Sequence, residues 1–212
     1  MRSAVWIRLA QYSFTMAAIV TLGYCAWVWV DSKLYQAREA RHFKQEQLLK
    51  DPLVASRPLS PAPAVPKEGA PIGRIEIPRI GVSVMIVEGV ESRDLKRAIG
   101  HIPGTALPGE DGNIAIAGHR DTFFRPLRSI HHDDTITLST LNGAYRYRVV
   151  FSKIVKPEDV QVVYPTGRDV LTLVTCFPFE YVGSAPERFI VRAERLPGHE
   201  KIAQLPLNEA RE

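Results

Sequence analysis

The first feature of the chain is an apolar run that separates a short N-terminal flank, residues 1–8, from everything that follows. Residues 9–30 contain no charged side chain, and as a helix they extend about 33 Å, enough to cross the ~30 Å hydrocarbon core of a bilayer. Tyr12, Trp27 and Trp29 lie toward its ends, where interfacial aromatic residues are expected. We predict a transmembrane signal anchor. The alternatives are a buried core helix and a cleaved signal peptide, but no small-residue cleavage site follows the run.

Two segments of different composition follow the apolar run. Residues 31–50 lack Gly and Pro and are rich in helix formers, which predicts a helical stalk although its apolar residues form no clean stripe. Residues 51–71 are rich in proline, with six prolines from Pro52 to Pro71, which predicts a semi-extended linker. We therefore place a domain at residues 72–197 and expect a mobile C-terminal tail at residues 198–212.

The pattern within residues 72–197 is mostly that of short strands. Period-two alternation or β-rich composition marks seven segments: 73–78, 82–87, 113–117, 135–140, 144–155, 170–176 and 188–194. Asn142-Gly143 indicates a tight hairpin between two of them. The helical segments are short, at 93–99 and within 123–130. Seven or eight strands with few helices predict a mostly β domain that forms a closed or nearly closed barrel.

Charge argues against a nucleic-acid partner, although the net charge is +4. The first fifty residues hold seven basic and three acidic residues, whereas residues 72–197 hold sixteen basic and fifteen acidic residues. The domain is thus nearly neutral and has no dense basic stripe. Most of the N-terminal cations follow the apolar run. By the positive-inside rule alone they would place the domain in the cytoplasm.

Three residues at strand ends combine into a possible chemistry. His119 follows strand 113–117, Cys176 ends strand 170–176, and Arg188 begins strand 188–194. Taken singly, each has a commoner explanation: a buried apolar cysteine, a turn histidine and a surface arginine. Together they supply a thiol nucleophile, a proton donor or acceptor near neutral pH, and a fork of donors for an oxyanion. No spacing rule joins the three.

Three sequence segments resemble those of the sortase family, in the family's order. Thr172–Cys176 reads TLVTC and matches the signature TLxTC, Ala117–Asp121 reads AGHRD, and residues 177–191 read FPFEYVGSAPERFIV. The last segment, with GHRDTFF at Gly118–Phe124, most resembles class D sortases. The resemblance covers residues 72–196. It implies an eight-stranded sortase barrel with short helices, behind one N-terminal transmembrane helix.

The resemblance also implies an activity and its residues. Cys176 would attack an LPxTG-like sorting signal to form a thioacyl enzyme, His119 would transfer protons, and Arg188 would stabilise the oxyanion. The acceptor would be an amine, from a cell-wall peptide or a pilin lysine, and the domain would lie outside the cytoplasm. Arg192 shares a strand face with Arg188 and is its rival. Further candidates for substrate contact are Thr172, Thr175 and Asp121.

Asp121 has two other possible partners, since it could orient His119 or pair with Arg120. We expect no cofactor and no metal, because the adjacent side chains of the sequence His131-His132-Asp133-Asp134 rarely converge on one ion. Two hypotheses compete with a transpeptidase. One is a catalytically silent, membrane-anchored peptide-binding module on the same barrel. The other is a different cysteine enzyme, although the signatures of L,D-transpeptidases, papain-like proteases and caspases are absent.

Overall fold

The computed structural model describes residues 2–49 and 66–197. Most of the predicted linker, the whole predicted tail and Met1 lie outside these ranges. Helix α1, Arg2–Leu49, runs without a break from the predicted anchor through the predicted stalk. Its segment Gln11–Arg41 is long and apolar enough to cross a membrane. The helix is therefore compatible with a single-pass anchor.

Residues 66–197 fold into a barrel of eight strands, as predicted. The strands are β1 Pro71–Ile77, β2 Val82–Glu88, β3 Ile99–His101, β4 Asn113–Ala117, β5 Thr135–Thr140, β6 Gly143–Val155, β7 Val170–Phe177 and β8 Glu187–Arg195. Their order around the closed barrel is β1-β2-β3-β4-β7-β8-β6-β5. Most neighbours are antiparallel, but β2 runs parallel to β3 and β4 runs parallel to β7. The β4–β7 pair brings the carboxyl ends of two strands to one rim.

The helices between the strands are short. Helix α2 covers only Ser92–Leu95, and 3-10 helices cover Pro78–Ile80, Arg125–Ser129 and Val160–Val163. The predicted helix at 93–99 is thus wrong in its second half, because Ile99–His101 pairs with Ile86–Glu88 as β3. A strand of three residues is too short to show a period-two pattern. Gly100 allows the close approach, since a Cβ there would lie 2.1 Å from the Gly89 carbonyl oxygen.

Alternation along the strands sorts side chains between the core and the outer face of the barrel. Leu171 and Leu173 of β7 and Val191 and Ala193 of β8 are fully buried in the core. Their neighbours in sequence therefore point outward. The outer face of β4, β7 and β8 is in part covered by the segment between β6 and β7, which contains the 3-10 helix Val160–Val163. Cys176 of β7, and Arg188 and Arg192 of β8, lie on the outer face.

Helix α1 also contacts the barrel. The Gln36 side chain accepts a hydrogen bond from the Met85 backbone N–H at 2.9 Å and donates one to the Arg97 carbonyl at 2.6 Å. Asp31 forms an ion pair with Arg97 at 2.7 Å. Asp31 is the first charged residue after the apolar run. The helix is therefore joined to the barrel just after residues 9–30, the run that has no charged side chain.

Candidate active site

Strand register pairs Cys176 with Arg188 and brings the end of β4, two residues before His119, beside the same part of β7. Cys176 is the direct partner of Arg188 in the antiparallel pair β7–β8. On the other side of β7, Ala117 of β4 is the partner of Val174 in the parallel pair, and His119 and Cys176 each lie two residues further on. Neighbouring strands are about 4.8 Å apart. The backbones of the three residues are therefore near neighbours at the rim of the barrel.

Cys176 is a free thiol at a partly accessible position. Leu171 and Leu173 point into the core, so the period-two alternation of β7 places the Cys176 side chain on the outer face. A half-buried cysteine at a strand end can be reached by a peptide while remaining fixed by the sheet. Cys25, the other cysteine of the chain, is exposed on α1 within the apolar run.

The segment that carries His119 is held by backbone contacts on both sides. The Gly118 N–H donates to the Val174 carbonyl at 3.1 Å, and the Thr175 hydroxyl donates to the Gly118 carbonyl at 2.7 Å. The Phe124 N–H in turn donates to the His119 carbonyl at 3.1 Å. Gly118 has no room for a side chain, since a Cβ would lie 2.7 Å from the buried Phe124 ring. His119 itself is half-buried.

Thr175 therefore joins β7 to the segment that carries His119. It is 2% exposed, and its hydroxyl is committed to Gly118. We predicted it as a candidate for substrate contact, but the structure places it beneath the site rather than on its surface. Its observed contact is with the backbone that positions His119.

Arg188 is half-buried and lies beside Cys176. Its Nη1 donates to the backbone carbonyls of Ala185 at 3.2 Å and Glu187 at 2.9 Å. These bonds hold the guanidinium against the end of the loop between β7 and β8. The planar fork has other donors that these two bonds do not use.

Arg192, the predicted rival of Arg188, lies on the same face but belongs to a buried network. It is 9% exposed, its Nη2 donates to the Val162 carbonyl at 2.8 Å, and its Nε has no partner among the described residues. Burial lowers the pKa of its guanidinium. Thr172, the partner of Arg192 across the strands, is 0% exposed. Neither side chain offers an accessible surface to a substrate.

Asn113 completes this network and was not singled out from the sequence. It accepts a hydrogen bond from the Thr172 hydroxyl at 2.6 Å and donates to the carbonyls of Val162 at 3.2 Å and Tyr164 at 3.0 Å. Together with Arg192 it fixes the 3-10 helix Val160–Val163 on the outer face of the barrel. The sequence signal that could have identified Asn113 was a polar side chain at the start of the apolar strand 113–117.

Arg120 also has a role that sequence reasoning missed. Its guanidinium donates to three carbonyls of the loop between β7 and β8: Pro178 at 3.0 Å, Tyr181 at 2.7 Å and Gly183 at 3.0 Å. It also lies 5.8 Å from the centre of the Tyr181 ring. Arg120, which directly follows His119, is thus hydrogen-bonded to the loop that joins Cys176 to Arg188. Asp121 is exposed, and these carbonyls rather than Asp121 are the observed partners of Arg120.

An aromatic cluster fixes the base of the same loop. The rings of Phe177 and Phe189 are stacked with centroids 6.2 Å apart, and Phe179 meets Phe189 edge-on at 5.3 Å. Phe179 and Phe189 pack against the core. Cys176 and Arg188 are adjacent in sequence to Phe177 and Phe189, so the cluster fixes the backbone beside both residues.

The two acidic residues in the sequence His131-His132-Asp133-Asp134 form ion pairs with basic side chains. Both carboxylate oxygens of Asp134 accept hydrogen bonds from Arg79, and Oδ2 also accepts one from the His131 backbone N–H at 2.7 Å. His132 pairs with Asp133 at 2.9 Å. Within residues 2–49 and 66–197, no group of three or more His, Cys, Asp and Glu side chains is arranged to hold a metal ion.

A family model described as the sortase domain matches residues 75–196. The chain therefore belongs to the sortase family, whose members are cysteine transpeptidases that anchor surface proteins. This confirms the family that we predicted from the three motifs.

Two kinds of relative support the assignment. The chain is 37% identical to sortase D of Bacillus subtilis over 132 residues, which is 62% of this chain and 67% of that protein. A solved sortase D5 transpeptidase of Clostridium perfringens is 28% identical, with a TM-score of 0.61 over 78% of this chain and 98% of that one. A structure of Clostridium perfringens sortase C with the C-terminal cell wall sorting motif is 31% identical, with a TM-score of 0.56 over 61% of this chain and 72% of that one.

Proposed function

We propose that the protein is a membrane-anchored transpeptidase that cleaves an LPxTG-like sorting signal and transfers the new acyl end to an amine. The observation that carries this proposal is the register of β4, β7 and β8, in which Cys176 is paired with Arg188 and His119 follows two residues after the end of the neighbouring strand. The relative of known structure that holds a cell wall sorting motif supports the same substrate class. The apolar part of α1 is the anchor, and the barrel lies outside the cytoplasm.

The first half of the reaction forms a thioester. The Cys176 thiolate attacks the carbonyl carbon of the threonine in the sorting signal, and Arg188 stabilises the negative charge that develops on the carbonyl oxygen. The carbon–nitrogen bond after the threonine then breaks. His119 gives its proton to the departing amine. The products are a thioacyl enzyme and the released C-terminal segment.

The second half returns the enzyme to its starting state. An incoming primary amine attacks the thioester carbon while His119 takes a proton from the nitrogen. The carbon–sulfur bond breaks, the thiolate is regenerated, and a new amide joins the two peptides. When water takes the place of the amine, the same steps give hydrolysis.

Cleavage of a library of LPxTG-like peptides by the full-length chain in detergent tests this proposal. We expect release of the segment after threonine, and loss of release in Cys176→Ala and in His119→Ala. Cys25→Ala is the matched control and should cleave as the unaltered chain does. Peptide turnover by Cys176→Ala would disprove the assignment, and peptide binding without turnover by the unaltered chain would favour the silent binding module.

The placement of the barrel needs its own experiment, because the cations that follow the apolar run would by themselves favour the cytoplasm. Protease added to intact cells or spheroplasts should degrade the domain while a cytoplasmic marker survives. Protection of the domain from that protease would contradict the extracytoplasmic placement.

A further inference from the structure

A cavity of about 500 Å³ lies beside the segment that carries His119. This volume falls within the usual range of small-molecule sites, about 300–1,000 Å³. Three of its lining residues are arginines. The lining residues are Arg79, Ile80, Thr122, Arg125, Pro126, Arg128 and Ser129.

One wall of the cavity is formed by a short helical segment. In the 3-10 helix Arg125–Ser129, residues i and i+3 share a face. Two of its three faces line the cavity, and one of them carries Arg125 and Arg128. Phe124 and Leu127, each 0% exposed, lie on the opposite face and hold the segment in the core.

The other wall carries an arginine that is fixed in place. Arg79 donates through Nε and Nη2 to both oxygens of Asp134, and through Nη2 also to the Ser129 carbonyl. These bonds leave Nη1 as the donor group not used by Asp134 or Ser129. Asp134 is 6% exposed, so its charge is committed to Arg79.

Of the three arginines that line the cavity, two are paired with carboxylates of the described residues and one is not. Arg128 is paired with Glu180 at 3.1 Å, through side chains that are 51% and 74% exposed. Arg125 makes no ion pair or side-chain hydrogen bond with any residue in the described part of the chain. Three arginines against Asp134 and Glu180 leave a net positive charge, and Arg125 presents a free guanidinium fork.

The cavity is also close to the chemistry. Phe124 donates its N–H to the His119 carbonyl at 3.1 Å. The Cα atom of Arg125 therefore lies within about 8 Å of that carbonyl oxygen. Glu180, the partner of Arg128, belongs to the loop between Cys176 and Arg188. A molecule held by Arg125 would therefore lie near the backbone of His119.

We propose that this cavity binds an oxyanion carried by the acceptor, a carboxylate or a phosphate a few bonds from the attacking nitrogen. This inference rests on the proposed function and names the chemical class of its second substrate. Arginine forks match both oxyanions in charge and geometry. Holding the anionic end of the acceptor would orient its amine toward His119 and the thioester carbon.

Acceptors that differ only in one carboxylate test the inference. The full-length chain is given an intact LPxTG-like donor peptide that it is known to cleave, and KM is measured for the acceptors triglycine and triglycine amide. We expect Arg125→Gln to raise the ratio of the KM for triglycine to that for the amide by about tenfold, since a charge-assisted bond is lost. Arg168→Gln, at the opposite end of β7, should leave the ratio unchanged. An unchanged ratio in Arg125→Gln would overturn the proposal.

A binding measurement separates failure of this inference from failure of the proposed function. Triglycine binding to Cys176→Ala is followed by NMR without any donor peptide, so that no turnover is needed. We expect binding to weaken when Arg125→Gln is added. Competition by inorganic phosphate but not acetate would assign the oxyanion to a phosphate, and the reverse would assign it to a carboxylate. Equal triglycine binding with and without Arg125 would overturn the proposal whatever the donor chemistry.

Discussion

Cys176 and Arg188 are direct partners across the antiparallel strands β7 and β8, on the outer face of the barrel. The sheet itself therefore fixes the spacing between the proposed nucleophile and the proposed oxyanion donor. Two carbonyls of the adjoining loop further restrain the guanidinium.

Arg188→Lys should lower kcat by about 10²–10³-fold, in the range measured when one oxyanion donor is removed. Lysine keeps the charge but replaces the fork with a compact ammonium group on a flexible stem. Steady-state kinetics with an intact donor peptide that the enzyme is known to cleave measure the change, and a thermal melt verifies folding. Arg168→Lys, on an exposed loop, serves as the control. An unaltered kcat in Arg188→Lys would exclude this role for Arg188.

Asn113→Ala should lower the free energy of unfolding by about 2 kcal/mol, because the Thr172 hydroxyl and two backbone carbonyls lose their partner. Urea denaturation measures the loss. Gln161→Ala alters an exposed residue of the adjacent 3-10 helix and should change stability by less than about 0.5 kcal/mol. Equal effects of the two substitutions would argue against a stabilising network at Asn113.

Thr175→Val should lower kcat and leave the KM for the donor peptide unchanged. Valine keeps the shape but removes the hydroxyl that holds the Gly118 carbonyl, so the His119 segment loses a restraint. Thr175→Ser keeps the hydroxyl and should restore most of kcat. A rise in KM without a fall in kcat would instead support the predicted contact between Thr175 and the substrate.

Arg120→Lys should loosen the loop between β7 and β8. A lysine cannot reproduce the planar fork that reaches three carbonyls, and each charge-assisted bond contributes about 1.5–3 kcal/mol. Limited proteolysis with chymotrypsin reports on the loop, because Tyr181 is its exposed tyrosine. Cleavage there should accelerate about tenfold or more, together with a fall in kcat. Unchanged cleavage relative to Arg168→Lys would remove Arg120 from the positioning of the loop.

Asp134 should make the stability of the barrel sensitive to acid. Hydrogen bonds from Arg79 hold the pKa of its carboxyl below the usual range, with a smaller contribution from the His131 backbone N–H. A lowered folded-state pKa contributes stability above the unfolded pKa of about 3.9, and that stability is lost as the pH falls through the folded value.

The corresponding variant is Asp134→Asn, which should be less stable than the unaltered chain at pH 7. The difference should shrink as the pH is lowered below about 4, where Asp134 of the unfolded chain takes up a proton while the folded carboxylate, with its lowered pKa, does so only at lower pH. Urea unfolding at pH 7 and pH 3 measures it, with the exposed Asp133→Asn as control. A difference that is the same at both pH values would contradict the linkage.

Local pattern was sufficient for most of the strands. The predicted bounds 135–140 match β5, because alternation within the strand and Asn142-Gly143 after it both mark its position. Strand β3 was missed because its formation depends on parallel pairing with β2, which no local pattern records. The strand Ile99–His101 has only three residues, which are too few to show a period-two pattern.

The site could be predicted only in part, for a physical reason. His119 and Cys176 are brought together by the parallel register of β4 and β7, a long-range pairing between residues more than fifty positions apart. The motifs supplied that association through the family resemblance, and spacing did not. Arg120 and Asn113 were missed because their partners are backbone carbonyls, and the position of a carbonyl is visible only in the folded chain.

The central claim is that Cys176 carries the acyl group during turnover, and trapping that intermediate tests it most directly. The full-length chain is mixed with an intact donor peptide that it is known to cleave. The mixture is quenched in acid and examined by intact mass spectrometry and peptide mapping. We predict a mass increase equal to the acyl group that ends at the threonine, which is the corresponding free-acid peptide less one water, located on Cys176 and released by hydroxylamine. The adduct should be absent from Cys176→Ala and present in Cys25→Ala. An adduct on another residue would contradict the account.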